Sequence, residues 1–283
     1  MSSALRIATV NVNGVRAAFR RGMAGWLERT VPDVLLLQEV RADDGALADL
    51  LPGWHLAHEA GAVAGRAGVA IAARAPMRAV RIGLGSGIAG DQGRWVEADL
   101  DLPGGPLTVA SVYLHSATVD HPSLDAKYAF CELVTGRLGD LAGRPAVVGG
   151  DLNIAHHEVD LKNWKGNVGK AGFLPAERTY LDTWFDKLGW SDVGRALAGP
   201  GPGPYTWWSW RGKAFDNDAG WRIDYQLLGP AAAGAAVGAR VDRAPTYAER
   251  FSDHAPLVVD YDARVLLNHA VASTRSAATA IRS

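Results

Sequence analysis

The residues best suited to chemistry in this chain stand where apolar runs stop. Pro145-Ala146-Val147-Val148 runs into Gly149-Gly150 and delivers Asp151 and, two positions on, Asn153. Four or more apolar residues without alternation predict a strand buried on both faces, and the ligands of such sheets collect beyond strand ends. The two glycines allow a backbone path that larger residues resist. An ionised Asp accepts protons or holds a hard cation, and Asn offers a donor and an acceptor without charge. The placement recurs along the chain. Leu5 to Val10 leads to Asn11 and Asn13, Val34 to Leu37 leads to Gln38-Glu39, and Leu107 to Val112 leads to Tyr113. Asp224 and the pair Asp253-His254 adjoin two later apolar runs. An Asx turn, or a local ion pair such as Glu39 with Arg41 or Asp224 with Arg222, would explain any one of these. None explains why strand after strand ends in an oxygen ligand.

Carboxylates and carboxamides with one histidine suit Mg²⁺, with Mn²⁺ as a substitute, and not zinc, because hard divalent ions prefer oxygen. A phosphate ester would complete the site: the cation polarises a phosphoryl oxygen while a carboxylate orients or deprotonates the attacking water. No G-x-S-x-G occurs, and the single cysteine, Cys131, falls with Tyr128, Phe130 and Leu133 in a helical, buried pattern. No activated Ser or Cys nucleophile is therefore expected.

A chain of 283 residues with 48% hydrophobic content has ample material for a core. One cysteine excludes an internal disulfide and a cysteine-rich zinc site, which fits a reducing compartment. No apolar stretch has the length of a membrane span, and the N-terminus leads straight into a strand, so a cytoplasmic protein is expected. The net charge of −1 gives no global attraction to nucleic acid, so basic surface must be local. Lys162, Lys165, Lys170 and Arg178 form one such group, and Arg211, Lys213 and Arg222 another.

The elements that must hold these residues follow from the same patterns. Strands are predicted at 5–10, 34–37, 69–73, 95–100, 107–112 and 256–260, with 205–210 and 221–225 as strands flanking a loop. Helical spacing of Phe19, Met23, Trp26 and Leu27 predicts a helix that Val31-Pro32 stops. Further helices are predicted over 122–138 and 175–188, and the Ala/Gly-rich 231–239 reads as a surface loop. A single domain is expected over 1–263, with a poorly ordered tail over 264–283.

Thr9-Val10-Asn11-Val12-Asn13-Gly14, Leu37-Gln38-Glu39, Gly150-Asp151-Leu152-Asn153, Gly220-Trp221-Arg222-Ile223-Asp224-Tyr225 and Ser252-Asp253-His254-Ala255-Pro256 together resemble the motifs of the exonuclease III type AP endonucleases, within the endonuclease/exonuclease/phosphatase superfamily. The stretches 160–167 and 171–178 resemble the DNA-repair branch in particular. The resemblance implies an α/β fold: a four-layered sandwich of two mixed sheets face to face with helices outside. It implies that Glu39, with Asn11, Asn13 and Asp253, serves the metal, and that Asp151 activates the water while Asn153 orients it. His254 held by Asp224, together with Tyr113, would contact the phosphate or leaving group. Arg16, Lys165, Asn167, Lys170 and Arg222 would bind DNA, and Trp207, Trp221 and Ile223 would enclose a flipped abasic sugar. The activity implied is Mg²⁺-dependent incision 5′ to abasic sites leaving a 3′-hydroxyl, with 3′-to-5′ exonuclease and 3′-phosphatase activity, by a monomer on duplex DNA with abasic sites, nicks or blocked 3′ ends. A phosphodiesterase of lipid or inositol phosphates, and a DNA-binding homologue weak in catalysis, are the alternatives. One departure stands out: after Tyr113 the chain reads Leu114-His115-Ser116, where the family often places Pro and then an amide.

Overall fold

The computed structural model describes residues 4–267. Its strands are β1 Ala4–Asn11, β2 Val34–Gln38, β3 His55–Glu59, β4 Val69–Ala73, β5 Met77–Ile82, β6 Trp95–Leu102, β7 Gly105–Tyr113, β8 Ala146–Asp151, β9 Ser191–Asp192, β10 Asp224–Leu228, β11 Ala236–Val241 and β12 Leu257–Asp262. The α-helices are α1 Val15–Arg20, α2 Met23–Thr30, α3 Asp44–Leu50, α4 Pro122–Leu141, α5 Pro175–Asp182, α6 Val193–Ala198 and α7 Ala263–Leu267. Two six-stranded sheets result, in the orders β11-β12-β1-β2-β4-β3 and β5-β6-β7-β8-β10-β9.

Side chains alternate across a strand, so each inner strand feeds two layers. Ile7, Val34, Leu36 and Ile71 of the first sheet meet Val96, Val109, Val147 and Leu228 of the second in the central core. On the opposite face, Ala8, Val10, Leu35 and Leu37 are covered by Val15, Ala18, Met23 and Trp26 of α1 and α2. Ala110, Val112, Val148 and Leu227 are covered by Phe130, Cys131, Val134 and Leu138 of α4 and by Trp184. This is the four-layered α/β sandwich that the resemblance implied. Cys131 is buried as expected, and burial pushes its thiol up to about 12.

Toward one end of the sandwich the inward positions turn polar. Gln38 donates to Ser111 Oγ at 2.9 Å, and Gln226 donates to the carbonyls of Ile7 and Leu257 at 3.0 and 2.9 Å. β1 runs parallel to β2, and β7 parallel to β8, so their C-terminal ends emerge together. β12 pairs antiparallel with β1, and β10 antiparallel with β8, so these two strands start at that same end. Gly150 is required here for closeness and not for its φ: a Cβ on it would stand 1.8 Å from the Val112 carbonyl oxygen.

Several expectations need correction. The first helix is two, α1 and α2, broken at Gly22 with φ 104°. Residues 205–210 make no strand; Trp207 forms only isolated bridges to Trp221 and His254, and β10 begins at Asp224. The expected loop at 231–239 ends in an edge strand, β11, because pairing to β12 needs backbone rather than side chains. The expected tail starts too early, since α7 packs Leu266 and Leu267 into the central core. Residues 268–283 lie outside the described residues.

Candidate active site

The strand ends converge on a cleft of about 320 Å³ lined by the polar Glu39, Tyr113, Asp151, Asn153, Asp253 and His254 and by Gly172, Trp207, Trp221 and Ile223. Glu39, Asn13 and Asn153, each one or two residues past its strand, adopt left-handed backbone with φ 50°, 47° and 49°. Such conformations cost energy for residues with a Cβ and cluster at functional sites.

Asp151 is buried at the centre. It accepts from Asn11 Nδ2 at 3.0 Å and from the Asn153 backbone N–H at 2.9 Å. Asn11 Nδ2 also donates to Glu39 Oε1 at 2.8 Å, and the Tyr113 hydroxyl donates to that same oxygen at 2.9 Å. Arg41 closes on the other Glu39 oxygen from the solvent side, so the local pair anticipated from sequence does form. His254 Nδ1 lies 2.9 Å from Asp224 Oδ2, and its Nε2 lies 3.8 Å from Asp151 Oδ2. Asp253 accepts from Asn13 Nδ2 at 2.8 Å and Trp207 Nε1 at 3.1 Å.

Burial dominates the protonation of these groups. It pushes the Asp151 carboxyl well above the carboxylate range, with Asp224 adding to the rise and His254 opposing it. Burial disfavours the His254 cation, yet Asp224 and Asp151 outweigh this and raise it well above its ordinary value. The Tyr113 phenol is raised by burial and by Glu39 and Asp151, so it stays a hydrogen-bond donor. Asp253 is lowered: burial works against its charge, and His254, Asn13 and Trp207 more than offset that.

The structure thus gathers all nine residues assigned to catalysis and metal. Asn11 and Asn13 aim their amide N–H groups at carboxylates, and Asn11 Oδ1 accepts from the Asn13 backbone at 3.0 Å. Their amide N–H groups hold Glu39, Asp151 and Asp253 in place. Asp151, Asp224 and His254 form a group whose ligand atoms lie within 4.8 Å of one another, close enough to share an ion. The Asp224–His254 hydrogen bond already engages two of these three, which leaves the neighbouring Glu39 carboxylate as the better oxygen donor to a hard cation. One buried carboxylate oxygen, Asp224 Oδ1, has no hydrogen-bond partner.

Of the residues assigned to DNA, Lys165 and Lys170 are exposed, and Asn167 lies at the surface with its amide on the Asn163 carbonyl. Arg16 is exposed and paired with Asp43 at 3.0 Å. Arg222 is a correction. Its side chain is 2% exposed and its guanidinium is taken up by Asp160 at 2.7 Å and Asp192 at 2.8 Å, while Asp160 is lowered to about 2, Arg222 and Arg195 overcoming its burial. It is not free to reach a phosphate and instead fixes the segment beside Trp221 that leads into β10, its backbone N–H donating to the Asp160 carbonyl at 2.7 Å. Trp207 and Trp221 meet edge to face at 6.3 Å, both half-buried, over the buried Ile223. Trp208 is buried in the core, while Trp210 is half-buried beneath Arg250 and Tyr247.

Sequence reasoning missed Arg94, whose guanidinium lies 4.9 Å over the Tyr113 ring and donates to the Tyr113 carbonyl at 3.3 Å. Arg94 precedes β6, where no apolar run ends to mark it. At the departure after Tyr113, His115 turns inward to Asp91 at 2.8 Å, and Ser116 lines the cleft.

Residues 8–254 match the model of the Endonuclease/Exonuclease/phosphatase family. The chain belongs to this family. It is 31% identical over 227 residues to the exodeoxyribonuclease of Bacillus subtilis (strain 168), covering 79% of this chain and 88% of that one. Among solved structures, an AP endonuclease from Archaeoglobus fulgidus superposes with a TM-score of 0.80 at 28% identity, covering 91% of this chain and 99% of that one. The 3′ phosphatase NExo from Neisseria, bound to product DNA hairpin, superposes with a TM-score of 0.81 at 30% identity over 91% of this chain and 99% of that one. The expectation of a hydrolytic DNA-repair nuclease holds. No helix among the described residues is long and apolar enough to cross a membrane.

Proposed function

We propose that this protein is a Mg²⁺-dependent nuclease that cuts duplex DNA 5′ to abasic sites, leaving a 3′-hydroxyl, and that trims or dephosphorylates blocked 3′ ends in the same cleft. It acts as a monomer, in the cytoplasm, on nicked or abasic duplex. The observation that carries this reading is the juxtaposition of Asp151, His254 and Asp224 with an aromatic wall across one cleft.

The site fits a hard divalent cation, because Glu39 presents carboxylate oxygens to the cleft and the carboxylate of Asp151 beside it adds the negative charge that a cation offsets. When bound, the cation supplies charge that stabilises phosphoryl and leaving oxygens. Glu39 would hold it. Asp151, kept from full ionisation by burial, is placed to take a proton from water, and Asn153, hydrogen-bonded to Asp151 through its own N–H, sets the direction of approach. His254 stays protonated beside Asp224 and offers Nε2–H where charge grows on a non-bridging phosphate oxygen. Tyr113, its phenol held protonated, donates to the phosphate or the leaving oxygen. A baseless sugar can enter between Trp207, Trp221 and Ile223 where an intact nucleotide is refused, and no base has to be unstacked. Lys165, Lys170, Asn167 and Arg16 meet the phosphates on either side.

The test is incubation with a labelled duplex carrying one tetrahydrofuran abasic mimic, with and without Mg²⁺, and mapping of both product ends. Cleavage on the 5′ side of the mimic leaving a 3′-hydroxyl is expected. Binding without Mg²⁺-dependent cleavage would refute the proposal.

A further inference from the structure

Two charges that touch no reacting group are entirely buried beside the cleft. Lys127 of α4 and Glu177 of α5 have side chains 1% and 0% exposed, with Nζ 2.6 Å from Oε1. A pair of apolar residues of similar volume commonly serves stability as well as a buried ion pair or better, so stability alone gives little reason for these charges. Their remaining contacts supply one. Lys127 Nζ also donates to the Asn153 carbonyl at 2.8 Å. The second Glu177 oxygen accepts the backbone N–H groups of Gly172 at 2.6 Å and Leu174 at 3.0 Å.

Both ends of this chain of contacts are parts of the site. Asn153 sits at φ 49°, with its N–H on Asp151, its side chain on the Leu114 carbonyl at 3.0 Å and its own carbonyl on Lys127. Gly172 sits at φ 88°, where a Cβ would come within 3.1 Å of the Trp221 ring and 3.3 Å of the Asn153 oxygen. The Gly172 carbonyl in turn accepts from Ala155 N–H at 2.8 Å.

We infer that Lys127 and Glu177 are positioning residues: Lys127 fixes the turn that aims Asn153, and Glu177 fixes the Gly172 loop against the Trp221 wall. One buried pair thereby sets the direction of attack and the width of the sugar pocket together. The assignment of a sugar pocket rests on the function proposed above; the fixing of the two backbone segments does not.

Two double variants separate positioning from mere stability. Lys127→Met/Glu177→Gln removes both charges but keeps an oxygen for the Gly172 and Leu174 amides. Lys127→Met/Glu177→Met removes that oxygen as well. Both avoid leaving one charge buried alone, which is the strongly destabilising change. In both, kcat on abasic duplex should fall roughly tenfold to a hundredfold, as a misplaced group of about an ångström does, while duplex affinity without Mg²⁺ changes less than about twofold. Only the Met/Met variant should also lose selectivity, its ratio of abasic incision to 3′-phosphatase rate falling about tenfold. Amide hydrogen exchange at Gly172 and Leu174 should be faster in Met/Met than in Met/Gln, a readout that needs no DNA and survives failure of the functional reading. The inference is overturned if kcat falls only as far as the folded fraction does, if both variants keep the parental kcat, or if exchange at the two amides is the same in both.

Discussion

Asp224→Asn isolates what one carboxylate does for the proton on His254. In the parent, Nδ1 sits 2.9 Å from Asp224 Oδ2 with both side chains buried. Burial disfavours the imidazolium, and Asp224 is the largest of the influences that restore it. An amide at 224 keeps shape and an acceptor for Nδ1–H, so the change is one of charge. A hydrogen bond to a charged group contributes about 1.5–3 kcal/mol, so the preference for the cation should weaken roughly 10- to 150-fold. Deprotonation with Nδ1–H still on residue 224 leaves Nε2 bare, turning a donor to phosphate into an acceptor. Single-turnover cleavage of abasic duplex at saturating enzyme should therefore show an alkaline decline at lower pH than in the parent. On that limb the loss should reach on the order of 10²–10³, the scale for removing one donor to a developing oxyanion. The stability effect has a definite sign. A histidine whose folded value is raised contributes stability that is fully present below its ordinary value of 6.5 and is lost as pH rises through the raised value. The melting deficit of Asp224→Asn should accordingly be largest in mild acid and shrink as pH rises. Rate profiles for parent and variant that superimpose after scaling would show that Asp224 does not set the His254 proton.

Three further outcomes follow from the geometry. Glu39→Gln should lose activity that high Mg²⁺ or Mn²⁺ restores, whereas Asp151→Asn should not recover in the same titration, because only the first of these is assigned to holding the cation; equal recovery would merge the two roles. Trp207→Ala and Trp221→Ala, each half-buried on the cleft wall, should lower abasic incision far more than 3′-phosphatase action at a nick, and destabilise by less than the roughly 3–5 kcal/mol of a core tryptophan. An unchanged activity ratio with a large drop in melting temperature would return both to the core. Leu267→Ala should lower stability in urea by about 2–5 kcal/mol, since Leu267 is 4% exposed within the central core; a parental midpoint would mean that α7 is not docked in solution.

What the sequence made legible, and what it did not, divides along one physical line. A buried strand announces itself by an unbroken apolar run, and the backbone ladder then dictates which residue emerges at its end, so Asn11, Glu39, Tyr113 and Asp151 were found from local pattern alone. Edge strands carry no such run. β5 alternates half-buried and exposed residues, and β11 pairs through backbone with small side chains, so neither carries a strand signal in its sequence and β11 has the composition of a loop. Aromatic density misleads in the other direction: Tyr205 to Trp210 has strand-forming residues, but Trp207 forms only isolated bridges, to Trp221 and to His254. Hardest to read are long polar side chains whose partners lie far along the chain. Arg222 beside Trp221 looked like a phosphate ligand because nothing local reveals that Asp160, 62 positions earlier, closes on it. Lys127 and Glu177 are separated by 50 positions and belong to different helices, and each alone reads as a solvated charge. The groups proposed to touch substrate are legible because the strand ladder places them; the groups that hold those in register are not, because only the packed structure brings their partners together. Supporting pairs such as Lys127–Glu177 therefore have to be sought among fully buried charges with backbone partners in the site, and not among motifs.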